Sequence, residues 1–223
     1  MAQAKFYAAE IVLGLQHIHA AGLLYRDLKP DNVLVGRDGH LLLTDFNLSK
    51  SGTDRTNTWC GTEGYMAPEV LVADASSLYG KEADWFSLGV LIYEMLTGEL
   101  PFYDQNPKIF QKKVRRGIFD CRKLPCESAR DLVRGLLQVD PKKRLTGEEV
   151  TNHPFFSGLD WNAILNKSLE PPLAAELGGV PRRLRKVRRG GRREGFGGLC
   201  SNSTDPEDPF KDFDQVFEHK LRL

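Results

Sequence analysis

Tyr25-Arg26-Asp27-Leu28-Lys29-Pro30-Asp31-Asn32 is the stretch on which the reading of this chain turns. It sets two carboxylates, two cations and an amide within eight residues, directly after the apolar pair Leu23-Leu24. Upstream, Ala8, Val12, Leu15 and His19 recur at helical spacing with Ile11 and Ile18 beside them, and Gly22 ends that helix. Downstream, Val33-Leu34-Val35 and Leu41-Leu42-Leu43 flank Gly36-Arg37-Asp38-Gly39, a hairpin signal with Asp-Gly at the turn. Such a hairpin brings Asn32 and Asp45 towards one end, the first hint of a site.

Farther along, residues 49–62 are polar and rich in Ser, Thr and Gly, which reads as an exposed loop. Residues 84–97 are apolar almost all round, as in a helix at the centre of a domain, and Gly98 is placed to cap it. Ser128 opens a helix carrying Leu132, Val133, Leu136 and Leu137, stopped by Asp140-Pro141. Thr146-Gly147-Glu148-Glu149 has the form of a capping box. Beyond about residue 170 come prolines, clustered glycines, a basic run and an acidic, aromatic end. The expected fold is mainly α, with short β-hairpins at the polar stretches and an extended tail. The division is a domain over 1–157 and a tail over 158–223.

Composition narrows the class. Hydrophobic content of 41% and charged content of 27% are those of an ordinary globular protein, and no apolar run is long enough for a membrane span. No basic start with an apolar core marks a signal peptide. Four cysteines without metal-ligand spacing read as free or buried thiols in a reducing cytoplasm, or nucleus. The net charge of +1 hides an asymmetry, because residues 182–193 hold eight Lys or Arg and no acid. Without them 23 basic residues face 30 acidic ones, so the body is acidic. The basic segment reads as a solvated, disordered insert, with a nuclear, nucleic-acid or acidic-membrane contact as the sharper alternative.

Four elements follow one another in order: Tyr25-Arg26-Asp27 with Lys29 and Asn32, then Asp45-Phe46-Asn47, Ala67-Pro68-Glu69, and Asp84-Trp85-Phe86-Ser87-Leu88-Gly89. Together they resemble the C-terminal lobe of the eukaryotic protein kinases. The resemblance extends over roughly residues 3–172 and implies a Ser/Thr kinase that uses ATP and Mg²⁺. It implies that Asp27 orients the substrate hydroxyl, that Lys29 meets the transferring phosphate, and that Asn32 and Asp45 hold Mg²⁺. Leu34 would floor the adenine pocket. Asp84 would anchor the catalytic loop, and Glu69 would pair with buried Arg144.

Tyr25 in place of the commoner His, with Thr58-Trp59-Cys60-Gly61-Thr62, is similar to the AGC group. On that likeness Thr56 is the activation-loop phosphosite, modified by an upstream activating kinase, and its phosphate pairs with Arg26 and Lys50. Thr62 would sit near Asp27. Asp31 and Glu94 would receive arginines of protein substrates that carry basic residues near the phosphorylated Ser or Thr. Trp161, Glu170-Pro171-Pro172, Phe210 and Phe213 resemble parts of the AGC tail. Asn47 stands where most kinases have Gly; Asn tolerates left-handed backbone better than most residues.

The Gly-rich loop and the β3 lysine of kinases have no counterpart in this sequence, and Gly195-Phe196-Gly197-Gly198 lacks the spacing. The expectation is therefore a fragment of a longer kinase that does not transfer phosphate at a normal rate by itself. The alternative is a natural short form, an inactive pseudokinase acting as a scaffold or binding module. Tyr25, Leu34 and Phe46, facing an absent lobe, should then leave an exposed apolar patch.

Overall fold

The computed structural model describes residues 1–51, 55–72 and 78–174 and the backbone of 182–183. The basic run beyond Arg183, the tail aromatics Phe210 and Phe213, and Cys200 lie outside the described residues.

Helix α1, Ala2–Ala20, buries Tyr7, Ala8, Ala9, Ile11, Val12, Leu15 and Ile18, the stripe its apolar spacing implies. The two-residue strand β1, Leu23–Leu24, leads into the polar stretch 25–32, where Pro30–Asn32 form one 3₁₀ turn. β2, Val33–Val35, and β3, Leu41–Leu43, pair antiparallel with Leu34 opposite Leu42. The turn between them closes on Gly39 at φ 84°, a left-handed conformation that glycine adopts without a Cβ clash. Strand β4, Lys50–Ser51, returns to pair with β1.

The rest of the domain is helical: α2, Pro68–Leu71; α3, Glu82–Thr97; α4, Pro107–Arg116; α5, Glu127–Leu136; α6, Gly147–Thr151; and α7, Trp161–Leu165. α3 is buried continuously from Ala83 to Tyr93 and ends at Gly98 in left-handed geometry, as its all-round apolar sequence requires. α5 packs across it at Gly89, where a Cβ would lie 2.7 Å from the Cβ of Leu136. α5 begins at Glu127 rather than Ser128, with Cys126 at the N-cap. The capping box of Thr146 and Glu149 is formed at α6.

The start of the tail belongs to the domain. Leu173 N–H donates to the Tyr7 hydroxyl at 3.1 Å, and that hydroxyl donates to Gly39 O at 3.2 Å, so α1, the β2–β3 turn and the tail meet at one oxygen. Farther on, β5, Arg182–Arg183, pairs antiparallel with β2, Arg183 opposite Leu34. The insert expected to be disordered over 182–193 thus begins as a strand, because the outer edge of β2 offers unpaired backbone groups for it to satisfy.

Candidate active site

Asp84, at the start of α3, fixes the backbone of the polar stretch. Its Oδ1 accepts from Arg26 N–H at 2.7 Å, and its Oδ2 accepts from Tyr25 N–H at 3.0 Å. His19 Nε2 stands 2.7 Å from the same Oδ2. Arg26 is held at φ 68°, a strained conformation for a side-chain-bearing residue, which the two bonds to Asp84 maintain. His19 went unassigned in the sequence. Its signal was a histidine on an otherwise apolar helix face, and a buried histidine needs a partner.

Asp27 comes off this anchored loop with its carboxylate enclosed and 5% of the residue exposed. Oδ2 accepts from Lys29 Nζ at 2.6 Å and Asn32 Nδ2 at 2.8 Å, while Oδ1 accepts from Thr62 Oγ1 at 2.9 Å. Lys29 Nζ also reaches Thr62 Oγ1 at 2.9 Å. Four residues from two motifs, Asp27, Lys29 and Asn32 from one and Thr62 from the other, thus form one hydrogen-bonded cluster. Thr62 and Asp27 lie 35 positions apart in the chain.

Asp45 lies across the hairpin end from Asn32. Thr44 N–H bonds to Asn32 O at 2.9 Å, which carries Asp45 to the same end as Asn32. Asp45 itself is exposed at φ 61°, with a 3.4 Å contact from Asn47 N–H to its Oδ1. No cluster of three or more His, Cys, Asp or Glu side chains among the described residues is arranged to hold a metal. Asn32 and Asp45 nevertheless fit Mg²⁺: with Nδ2 committed to Asp27, Asn32 offers its amide oxygen, and Asp45 offers an open carboxylate. That sparse oxygen set suits a hard cation whose shell is completed by water and phosphate oxygens.

Two expectations about exposure are corrected. Tyr25 is fully buried, its hydroxyl donating to Thr44 O and its ring set edge-on to Phe46 at 5.3 Å. Burial, reinforced by Asp27, Asp45 and Asp84, holds its phenol far above the usual range. Leu34 and Phe46 are half-buried, Leu34 between β3 and β5, so the exposed apolar patch is not formed. The second correction concerns the loop over 49–62. Thr56 is 2% exposed and exchanges both backbone hydrogen bonds with Tyr79, each 2.8 Å. Lys50 Nζ donates to Thr56 Oγ1 at 3.1 Å, and the Tyr79 hydroxyl donates to Thr58 O at 2.5 Å. Thr58 is exposed. Arg26 is drawn to Leu48 O through Nε at 2.5 Å, and its buried Nη1 meets no hydrogen-bond partner among the described residues. Tyr79, which latches this loop, carries no motif signal, and only the long-range pairing reveals it.

The remaining site residues are dispersed. Asp31 is exposed, and Glu94 is half-buried and accepts from the Tyr65 hydroxyl. Glu69, on α2, meets Arg144 in a bidentate pair at 2.6 and 2.9 Å. Arg144 is 3% exposed, lies over the Phe86 ring at 5.0 Å, and donates to Glu82 O and Gln138 O.

The sequence matches the protein kinase domain family over residues 1–156. It is 43% identical over 180 residues to a RAC family serine/threonine-protein kinase homolog of Dictyostelium discoideum, covering 78% of this chain and 40% of that protein. It is 44% identical over 176 residues to the serine/threonine-protein kinase gad8 of Schizosaccharomyces pombe, covering 76% of this chain and 30% of the relative. Against the cAMP-dependent protein kinase catalytic subunit 3 of Drosophila melanogaster it is 43% identical over 178 residues, covering 78% and 30%. The chain therefore spans two fifths or less of the length of these relatives.

Proposed function

The chain belongs to the protein kinase family, with AGC-type serine/threonine kinases as relatives, and on that premise we propose that it carries the hydroxyl-activating and metal-binding half of a serine/threonine kinase site. The observation that supports this is the cluster of Asp27, Lys29, Asn32 and Thr62 on a loop anchored by Asp84. Phosphoryl transfer asks a protein for positioning and charge neutralisation rather than for covalent chemistry. Magnesium held by Asn32 and Asp45 would neutralise phosphate charge. Asp27 accepts the hydrogen bond of the incoming Ser or Thr hydroxyl, taking the place Thr62 fills at Oδ1, and holds its proton as the oxygen attacks the terminal phosphorus of ATP and the bond to the departing ADP oxygen breaks. Lys29, 2.6 Å from Asp27, is placed to follow the negative charge onto the phosphoryl group. Exposed Asp31 and half-buried Glu94 are the carboxylates that would favour substrates with basic residues.

A chimera that joins this chain to the N-terminal portion of the Dictyostelium relative tests the reading with a basic Ser/Thr peptide and labelled ATP. Transfer is expected, and Asp27→Asn should lower kcat by about 10²–10⁴-fold. Transfer indifferent to Asp27→Asn and Asp45→Ala would sink it. The chain by itself is expected to be silent in the same assay; turnover abolished by Asp45→Ala would refute that part.

Exposure also bears on the loop phosphosite. Thr56 is enclosed by its bridge to Tyr79 and by Lys50, whereas Thr58 is an exposed residue whose hydroxyl meets Thr56 Oγ1 at 3.3 Å. On this ground we propose that an upstream kinase modifies Thr58 in place of the expected Thr56, with Lys50 as a nearby cation. Mass spectrometry of chain modified in an AGC-kinase extract should place the phosphate on Thr58. A phosphate confined to Thr56 would return the assignment to the buried hydroxyl.

A further inference from the structure

Away from that site, α4 presents a charged face that nothing in the proposed function uses. The helix carries five cations, Lys108, Lys112, Lys113, Arg115 and Arg116, and no carboxylate. Its inner face is seated through buried Phe110 and Val114. Lys113 is engaged by Asp104 at 2.9 Å and by Tyr103 O at 3.1 Å. The other four cations are exposed and form no ion pair among the described residues. At about 100° per residue, Lys108, Lys112 and Arg115 fall within about 40° of one line, and Arg116 borders it. The stripe is flanked by exposed apolar side chains: Tyr103, Ile109 and Ile118 are 56%, 43% and 53% exposed.

Helix stability does not account for this arrangement. Arg115 and Arg116 suit the negative end of the helix dipole, but Lys108 stands in the first turn, where a positive charge opposes it. Four like charges along one line also repel one another. A counter-charged surface would relieve both costs, and apolar groups on it would cover the flanking residues.

We propose that this face of α4 is a docking surface for the acidic, aromatic segment 205–218 of the same chain. That segment holds six carboxylates, Asp205, Glu207, Asp208, Asp212, Asp214 and Glu218, against the single Lys211, with Phe210, Phe213 and Phe217 between them. Charge and apolar content both match what α4 presents. Reach is sufficient: 22 positions separate Arg183, at the end of β5, from Asp205, and extended chain of that length covers up to about 70 Å, more than the roughly 40 Å breadth of a domain this size. The basic run 182–193 competes for the same acids. α4, however, sets its cations on a formed helix beside exposed Ile109, which the phenylalanines of 205–218 can cover, whereas the basic run carries only Leu184 and Val187 among its charges.

Carbodiimide coupling of carboxylates to lysine amines in the full chain, mapped by mass spectrometry, reads the contact directly. Cross-links from Asp or Glu of 205–218 to Lys108 and Lys112 are expected within single chains, as judged from a mixture of isotope-labelled and unlabelled protein. Arg115→Glu with Arg116→Glu leaves both reporter lysines in place and removes half of the stripe's charge. In that variant, as in 1 M salt, the cross-links should fall about tenfold. Unchanged thermal unfolding of the variant separates lost docking from lost fold. Cross-links to Lys186 instead of α4, or only between different chains, would overturn the proposal. So would capture of the chain by phosphatidylserine vesicles through the α4 cations with no cross-link formed.

Discussion

A single guanidinium shows how one residue can tie distant segments together. Arg144 is 3% exposed, and its charge is met by Glu69, by the carbonyls of Glu82 and Gln138, and by the face of Phe86. Glu69→Gln keeps the shape but leaves a buried cation without a counter-charge, which typically costs about 3–5 kcal/mol. Chemical denaturation should show that loss as a lower midpoint with an unchanged slope; a loss under about 1 kcal/mol would mean solvent reaches the pair. Such residues were legible to different degrees. Asp27, Asn32, Asp45, Glu69 and Asp84 stand in ordered motifs, and the resemblance those motifs carry implies their roles. His19 and Tyr79 stand in none, and their work depends on neighbours 65 and 23 positions away in sequence, which no local pattern encodes. Thr56 was placed in an exposed loop because its flanks are polar, yet its backbone pairs with Tyr79 and its hydroxyl faces Lys50.

Elements differ in how clearly the sequence announces them. α3 was plain, because a helix apolar on every side has only the interior to occupy, and the β2–β3 hairpin was plain from Asp38-Gly39 between two apolar triplets. The two-residue strands β1 and β4 were not, since neither has a periodicity to detect and each exists only through the other. Contact between α3 and α5 depends on Gly89, where an added Cβ would meet Leu136 Cβ at 2.7 Å and Leu137 Cδ2 at 2.9 Å. Gly89→Ala should therefore destabilise the protein by about 1–3 kcal/mol through overpacking, despite the better helix propensity of Ala. Thermal unfolding measures it, and an unchanged or raised Tm would show that α5 can shift outward without cost.

For the molecule as a whole, buried phenols set an alkaline limit. Burial raises the pKa of Tyr25 and Tyr79 well above the ordinary value, in Tyr25 with help from three neighbouring carboxylates. Both groups stay neutral in the folded state where the unfolded chain would ionise them. Stability is thus complete below the unfolded phenol pKa of about 10 and is lost as pH rises beyond it. Unfolding followed from pH 8 to 12 should show that decline, and Tyr25→Phe should make it shallower; a flat profile would mean that these phenols titrate freely in the native protein.

The oxygen of Tyr7 has a mechanical meaning as well. It receives the Leu173 amide and hands its own proton to Gly39. Tension applied at residue 174 is thus borne at the tip of the β2–β3 hairpin before it reaches α7. That hairpin carries Asn32 at its other end, so a load on the tail is transmitted along a three-residue strand to the edge where we propose that metal binds.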